Sequence, residues 1–161
     1  MPIVLPDMNP CPFCEINSGA VDRWNVVEDA ELTFTVLNGR QFEVGQCMVI
    51  VKRHAPTLLD LQADEHAAVL SAAARLGHAM TAAFDPDGIL LYQNNGIGSG
   101  QEVPHFHLHV VPRRVGSDWE FGPPHIARLE DNSRPAHLDH ATITEQKRHT
   151  ASEIRSRLAT A

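Results

Sequence analysis

The sequence predicts a single domain of mixed fold, in which five strands and one long helix form the core. Two observations lead to this prediction. Five segments have the β-branched, aromatic or apolar pattern of strands, and one longer segment has apolar residues spaced by three and four, as on one face of a helix. With 161 residues, of which 43% are hydrophobic and 20% charged, the chain is long enough to bury a core of its own.

The strand assignments follow from composition. The first two segments have the β-branched and aromatic content of strands, and Asp29 and Ala30 form a hairpin turn between them. Pro104 stands ahead of the last segment, where a missing N–H is tolerated. The predicted strands cover residues 21–28, 32–37, 46–52, 89–93 and 105–112.

The long helix is predicted over residues 63–84. Its apolar stripe consists of Val69, Ala73, Leu76, Met80 and Phe84, and the turn sequence DPDG follows directly. Such a stripe is the face that a helix packs against a sheet. The helix is therefore expected to cover one side of the strands.

After Arg114 the composition changes. Residues 116–139 are rich in Pro, Asp, Asn and His, and the sequence TITE from Thr142 is a capping box that opens a charged helix over residues 142–158. We therefore expect one domain over residues 8–115 and a C-terminal extension over residues 116–161. The sequence leaves open whether the extension docks on the domain or projects from it.

Charge and cysteine content narrow the function classes. The formal net charge of −7 argues against nucleic-acid and anionic-membrane partners, although a small anionic substrate remains compatible with it. No apolar run is long enough to span a bilayer, and the N-terminal segment has no basic region followed by an apolar one. An odd number of cysteines, three, fits a reducing cytoplasm.

The most informative segment is GQEVPHFHLHVV, in which His105, His107 and His109 alternate with apolar residues. On a strand the three histidines share one face, about 7 Å apart. They could be a solvated strand face, a metal site or the place of a nucleophilic histidine. The preceding glycine-rich loop over residues 94–100 could offer backbone N–H groups to a phosphate.

This segment matches the pattern His-φ-His-φ-His-φ-φ, with φ apolar, after Gly-Gln, so the chain resembles the histidine triad family. The resemblance runs from CPFC through LNGRQFEVGQCMVIVKRH to the triad, over residues 11–114. It implies an α+β fold with a five-stranded antiparallel sheet, which a homodimer extends to ten strands. It also implies a hydrolase or transferase that acts on the α-phosphate of a small nucleotide.

The resemblance also implies roles for individual residues. His107 would be the catalytic nucleophile that forms a covalent nucleotidyl-histidine intermediate, and His109 would bind the α-phosphate with help from Asn94 and Gln101. Asn38 would contact the ribose, although it could equally be a turn residue before Gly39. The sequence PRR after the triad resembles the dinucleoside polyphosphate hydrolase branch more than the nucleoside phosphoramidase branch.

Cys11 and Cys14 have zinc-ligand spacing, but a lone CxxC is also compatible with a redox pair or with two half-buried residues. Zinc-containing members of the family add a histidine after the third strand and the first triad histidine. The resemblance therefore implies a structural zinc site made of Cys11, Cys14, His54 and His105. The family often has histidine where this chain has Gln46, a change that removes no proposed catalytic group.

Three functions remain open on this basis. The first is cleavage of a nucleotidyl phosphate bond through His107. The second is a metalloenzyme in which the triad itself holds a reactive ion, and the CPFC motif favours the first because it gives the metal a separate site. The third is a nucleotide-binding or interaction module without catalysis.

Overall fold

The computed structural model describes residues 3–41, 43–116 and 140–160, and the side chains of the last helix from Glu145 onward. These residues form three helices and five strands, with short 3-10 turns at Leu58–Asp60 and Ile97–Ser99. The helices are α1 (Pro12–Ser18), α2 (Ala63–Phe84) and α3 (His140–Leu158), and the strands are β1 (Val26–Asp29), β2 (Thr33–Leu37), β3 (Cys47–Val51), β4 (Gly88–Tyr92) and β5 (His107–Arg113). Residues 117–139 of the expected extension lie outside the described residues.

The strands form one sheet in the order β1-β2-β3-β5-β4, and each neighbouring pair is antiparallel. This confirms the predicted fold class. β5 lies between β3 and β4, so the histidine segment has a paired strand on each side. The sheet position explains why apolar residues fill β3 throughout, since all five of its residues are buried.

The two faces of the sheet are covered differently. α2 and α3 pack on one face, where the core includes Val49, Leu76 and Ile154. α1 covers part of the opposite face, where Phe13 packs against Met48 and other strand residues. The histidines lie on this second face, where the short helix α1 packs beside them.

The α2 helix has the predicted bounds, and its Val69, Leu76 and Met80 are buried as the stripe requires. Two strand predictions were wrong at one end. β1 begins at Val26, because a turn between Arg23 and Val26 occupies the preceding residues. β5 begins at His107 instead of residue 105, because the N–H of Phe106 donates to the carbonyl of Ala55 in the loop after β3.

The helix α1 was not predicted from the sequence. It has Pro12 in its first turn and Gly19 at its C-cap with a left-handed φ of 78°, which is the end that glycine favours. It presents Cys11 at its N-cap position and Cys14 in its first turn. A helix of seven residues shows too little periodicity to be recognised from apolar spacing alone.

The helix α3 docks on the domain, the point that the sequence left open. It packs on α2 and β1, with Ala151 and Ile154 fully buried. Its Arg155 donates to the carbonyls of Trp24 and Val26 beside β1. Within the described residues, none of the helices has the length and apolarity needed to cross a bilayer.

Candidate functional site

Four side chains from three parts of the chain meet at one point. Cys11 and Cys14 come from the start of α1, His54 follows β3, and His105 precedes β5. One ligand atom from each lies within 4.8 Å of the other three. The Nδ1 atom of His105 lies 3.4 Å from the Cys11 sulfur and 3.6 Å from the Cys14 sulfur. The Nδ1 atom of His54 lies 3.4 Å from the Cys14 sulfur.

These separations fit a tetrahedral metal site. With zinc–sulfur and zinc–nitrogen bonds of about 2.3 and 2.0 Å, tetrahedral angles place neighbouring sulfur and nitrogen ligands about 3.5 Å apart. The Nε2 atom of His105 lies 2.8 Å from the carbonyl oxygen of Val51 and donates to it, which turns the Nδ1 lone pair toward the cysteines. Two soft sulfur donors and two imidazoles form a set that suits zinc.

Ionisation at this cluster follows from burial. Burial, and then the neighbouring Cys11, raise the pKa of the Cys14 thiol to about 11. Burial lowers the pKa of His105 to about 4, so its ring is neutral at pH 7, as a metal ligand must be. A bound cation would favour the Cys14 thiolate and so offset the effect of burial.

The loop that carries His54 is held by an ion pair. Arg53 donates to both carboxylate oxygens of Glu65, at 2.9 and 2.6 Å, and to the carbonyl of Asp60. The Glu65 carboxylate in turn accepts the N–H of Gln62 and caps α2. These hydrogen bonds connect the start of α2 to Arg53, the residue directly before His54.

His107 is 8% exposed and lies against the ring of Phe13, with the two centroids 5.1 Å apart. Its Nδ1 atom lies 2.7 Å from the carbonyl oxygen of His105. A carbonyl only accepts, so Nδ1 carries the hydrogen and Nε2 carries the lone pair. Burial lowers the pKa of His107, which keeps the ring neutral and this lone pair unprotonated.

His109 has two contacts that the sequence analysis missed. The Nε2 atom of Gln46 lies 3.3 Å from its Nδ1 atom, and the ring of Tyr92 stacks on it at 4.2 Å with an interplanar angle of 10°. Gln46 also donates to the Tyr92 hydroxyl at 3.2 Å. The available signals were a polar residue at the start of an apolar strand and the single tyrosine of the chain.

The glycine-rich loop is held together by Gln101, which is 4% exposed. Its side-chain oxygen accepts the N–H of Gly96 at 2.6 Å, and its amide nitrogen donates to the carbonyls of Pro56 and Val103. Asn94 lies in the same loop, with its amide nitrogen 3.4 Å from the carbonyl of Gly100. Both residues therefore lie at the predicted loop, and Gln101 fixes its shape.

Several backbone N–H groups of this loop already donate to groups within the protein. The N–H of Ile97 donates to the carbonyl of Val4, and the N–H groups of Ser99 and Gly100 donate to carbonyls of the loop itself. Gly96 has a φ of +81°, and a Cβ there would lie 2.2 Å from a methyl carbon of Ile3. These three N–H groups, which belong to the expected phosphate cradle, thus stabilise the loop and its contact with the N-terminal segment.

Asn38 lies at the end of β2, opposite the start of β3. Its backbone N–H donates to the carbonyl of Gln46, and its side-chain oxygen accepts the N–H of Arg40 at 2.9 Å, as in an Asx turn. Lys147 of α3 donates to the carbonyl of Gly39 in the same turn at 2.5 Å. Asn38 is therefore hydrogen-bonded to Gln46, the residue whose side chain contacts His109.

Comparison with known proteins adds independent information. The sequence model of the HIT domain family matches residues 21–116, more than half of the chain. An adenylylsulfatase of Arabidopsis thaliana is 31% identical over 106 residues, which cover 66% of this chain and 53% of the relative. A bis(5'-adenosyl)-triphosphatase of Dictyostelium discoideum is 32% identical over 84 residues, covering 52% of this chain and 56% of the relative. The matched segments span about half the length of these curated relatives.

A solved structure matches nearly the whole chain. The crystal structure of a zinc-bound histidine triad family protein from Mycobacterium smegmatis has a TM-score of 0.72 and 27% sequence identity, with 94% of each chain covered. That structure was solved with zinc bound, and the four-residue cluster described above has the donor set and spacing of a zinc site.

Proposed function

This chain belongs to the HIT domain family, and from that premise we propose that it cleaves a nucleotidyl phosphate bond through a covalent intermediate on His107. The observation that carries the proposal is the hydrogen bond from His107 Nδ1 to the His105 carbonyl. It leaves the Nε2 lone pair of a neutral, largely buried imidazole as the nucleophile. A solvated strand face would not need this arrangement.

The proposed reaction has two steps. In the first, Nε2 of His107 forms a bond to the α-phosphorus while the bond from phosphorus to the leaving group breaks, and the leaving group departs with the electron pair and takes up a proton. In the second, water attacks the phosphorus, the phosphorus–nitrogen bond breaks, and nucleoside monophosphate and a proton are released. A transferase would use another hydroxyl or phosphate in place of water.

The neighbouring residues are proposed to bind the substrate. His109 would donate to a non-bridging oxygen of the α-phosphate, where negative charge increases during displacement. Asn94 and Gln101 are proposed to add donors beside it, and Asn38 to contact the ribose. For Gln101 this requires one of its amide hydrogens to exchange a carbonyl for a phosphate oxygen, since both are engaged within the loop.

Cys11, Cys14, His54 and His105 are proposed to hold a structural zinc ion, which would fix α1 against the start of β5. Among residues 3–41, 43–116 and 140–160, this is the single cluster of three or more potential ligands whose donor atoms converge. It uses His105 and leaves out His107 and His109. This division favours a nucleophilic His107 over a triad that binds a reactive ion.

The substrate is proposed to be a small adenosine nucleotide. The two relatives named above are an adenylylsulfatase and a bis(5'-adenosyl)-triphosphatase, so both names refer to adenosine compounds. The PRR sequence at the end of β5 favours a dinucleoside polyphosphate over a phosphoramidate. No nucleic acid or membrane partner is proposed, in keeping with the net charge of −7.

A substrate screen tests the proposal. Purified protein is incubated with an adenosine phosphoramidate, adenylyl sulfate, diadenosine polyphosphates and mononucleotides, and release of AMP is measured. The His107→Asn protein serves as the blank for contaminating hydrolases, and the His78→Asn protein, altered at an exposed histidine of α2, serves as the matched control. We expect AMP from the wild-type and His78→Asn proteins alone. Equal AMP release by His107→Asn would contradict the proposal.

A further inference from the structure

The side chains of Gln46 and Tyr92 both contact the ring of His109. Gln46 is fully buried, and it is the polar residue directly before the apolar strand β3. Its amide nitrogen lies 3.2 Å from the Tyr92 hydroxyl and 3.3 Å from Nδ1 of His109. A buried amide that meets two groups at hydrogen-bond distance constrains both of them.

The amide nitrogen dictates a tautomer. An amide NH₂ group has two hydrogens and donates only, so Nδ1 of His109 must accept. A neutral imidazole that accepts at Nδ1 carries its hydrogen on Nε2. His107 has the reverse arrangement, because its Nδ1 donates to the His105 carbonyl. Two histidines on one strand are thus held in opposite tautomers.

Tyr92 completes the arrangement from the other side of β5. It pairs with His109 in the register of β4 and β5, and its ring stacks on the imidazole with the centroids 4.2 Å apart. Its hydroxyl accepts the second amide hydrogen of Gln46, which orients the amide nitrogen toward His109. Tyr92 of β4 therefore contacts the face of the His109 ring, and Gln46, directly before β3, contacts its edge.

We propose that Gln46 and Tyr92 are positioning residues that hold His109 with its hydrogen on Nε2, so that it donates to the α-phosphate while His107 attacks. The inference deepens the proposed function and rests on it. Because His107 and His109 are held in different tautomers, two chemically identical side chains can have different roles, His107 as nucleophile and His109 as hydrogen-bond donor. With its hydrogen on Nδ1, His109 would present a lone pair to an anionic oxygen, and that contact would be repulsive.

Nitrogen NMR of the histidine rings tests the tautomer directly, because the protonated and unprotonated ring nitrogens have well-separated shifts. The His109 signals are assigned by their loss in His109→Asn. The variants are Gln46→Glu, which has nearly the same shape and places an acceptor beside Nδ1, Gln46→Met, which removes the donor, and Tyr92→Phe, which keeps the stack. Thr35→Val is the control, since Thr35 is a fully buried polar residue whose hydroxyl has no hydrogen-bond partner in the described part of the chain.

In the wild-type protein and Thr35→Val we expect the hydrogen on Nε2 of His109. In Gln46→Glu we expect it on Nδ1, with AMP binding weakened about 10- to 100-fold, the effect of losing one charge-assisted hydrogen bond. Gln46→Met is expected to show both tautomers, and Tyr92→Phe a smaller loss of AMP affinity than Gln46→Glu.

A hydrogen on Nδ1 of His109 in the wild-type protein would overturn the inference. If Gln46→Glu does not fold, Gln46→Met decides: a single unchanged tautomer with wild-type AMP affinity would overturn it equally. The tautomer is measured in the protein without any substrate being cleaved, so this test does not depend on whether the proposed function is correct. That function fails separately if the wild-type protein releases no AMP from any nucleotide tested.

Discussion

The ring nitrogens of the three triad histidines have different partners, and these partners separate their chemistry. His105 donates from Nε2 to Val51 and directs Nδ1 at two sulfurs, whereas His107 donates from Nδ1. For these two histidines, a backbone carbonyl therefore determines which nitrogen carries the lone pair. The proposed roles, metal ligand and nucleophile, require these nitrogens and no others.

The division of roles predicts different effects for two substitutions. His107→Asn should reduce turnover by at least about 1,000-fold, because it removes the atom that forms the bond, and should leave AMP affinity within a few-fold of wild type. His109→Asn should weaken AMP binding as well as turnover, because His109 is proposed to contact the phosphate in both the ground state and the transition state. Calorimetric titration with AMP and steady-state kinetics measure both. If His107→Asn lost AMP binding while His109→Asn retained it, that result would contradict this assignment.

The cysteine–histidine cluster predicts the metal content. Protein purified without chelators should contain about one zinc per chain, and His54→Ala should lower both the zinc content and the thermal midpoint, because binding free energy contributes to folding. Elemental analysis and thermal unfolding measure these quantities. The exposed His78→Ala variant is the control and should keep its zinc. Absence of zinc from wild-type protein would rule out the site, and loss of zinc in His107→Asn would favour a catalytic metal.

At the scale of single elements, the two long helices, α2 and α3, pack on the face of the sheet that is opposite the candidate site. α3 packs on α2 and β1, and its Lys147 reaches the turn that follows Asn38. The extension thus contacts the domain at the turn proposed to contact the ribose. Packing of α3 is therefore expected to stabilise the whole domain and not only the helix itself.

Truncation of one buried side chain tests this docking. Ile154 is fully buried between α3 and the core, so Ile154→Ala should lower the free energy of unfolding by about 2–4 kcal/mol. Denaturant unfolding measures the change. Ser152→Ala, on the exposed side of the same helix, should differ little from wild type. Equal stability of the two variants would contradict the docking of α3.

The pair of Arg53 and Glu65 predicts a pH dependence of stability. The hydrogen bond from Arg53 lowers the pKa of the Glu65 carboxyl in the folded state, so the pair stabilises the fold above the unfolded pKa of about 4.3 and the effect is lost as pH falls through the folded value. Glu65→Gln should therefore unfold at a lower temperature than wild type at pH 7, and the difference should shrink below pH of about 4.3. Glu153→Gln, in a surface pair with Arg157, is the control and should have little effect. A difference that grows on acidification would contradict the prediction.

The sequence predicted elements with strong periodicity and missed contacts made across the sheet. The predicted bounds of α2 were correct, because apolar spacing and the DPDG turn that follows are local properties of the sequence. The start of β5 was missed because it depends on a bond between Phe106 and Ala55. Gln46 and Tyr92 were missed because they meet His109 only after three strands have paired, and the resemblance had assigned Gln46 no role.

At the scale of the whole molecule, β4 lies at one end of the sheet, and among the residues that the structure describes it pairs with β5 alone. Ile89 and Leu91 on this strand are 36% and 45% exposed. An exposed edge strand with apolar side chains is a surface on which a second copy can add strands. The ten-stranded homodimer implied by the resemblance to the histidine triad family would cover this edge.

The assembly prediction follows from that edge. Light scattering of the wild-type protein at micromolar concentration should give twice the 17.7 kDa mass of one chain. Leu91→Lys should shift the mass toward that of a single chain, because a charge would be buried at the interface. Leu70→Lys, at a 63% exposed position of α2, should remain dimeric. A wild-type monomer, or a dimer unaffected by Leu91→Lys, would contradict an interface through β4.

The covalent intermediate on His107 is the central claim, and trapping it is the most direct test. Wild-type protein is mixed with a diadenosine polyphosphate or an adenosine phosphoramidate labelled at the α-phosphate, quenched in base, and digested for mass spectrometry. We expect the label on His107 through a bond that acid cleaves, and no label in His107→Asn. The contrary result is a protein that releases AMP from these substrates while no adduct forms, together with full activity in His107→Asn.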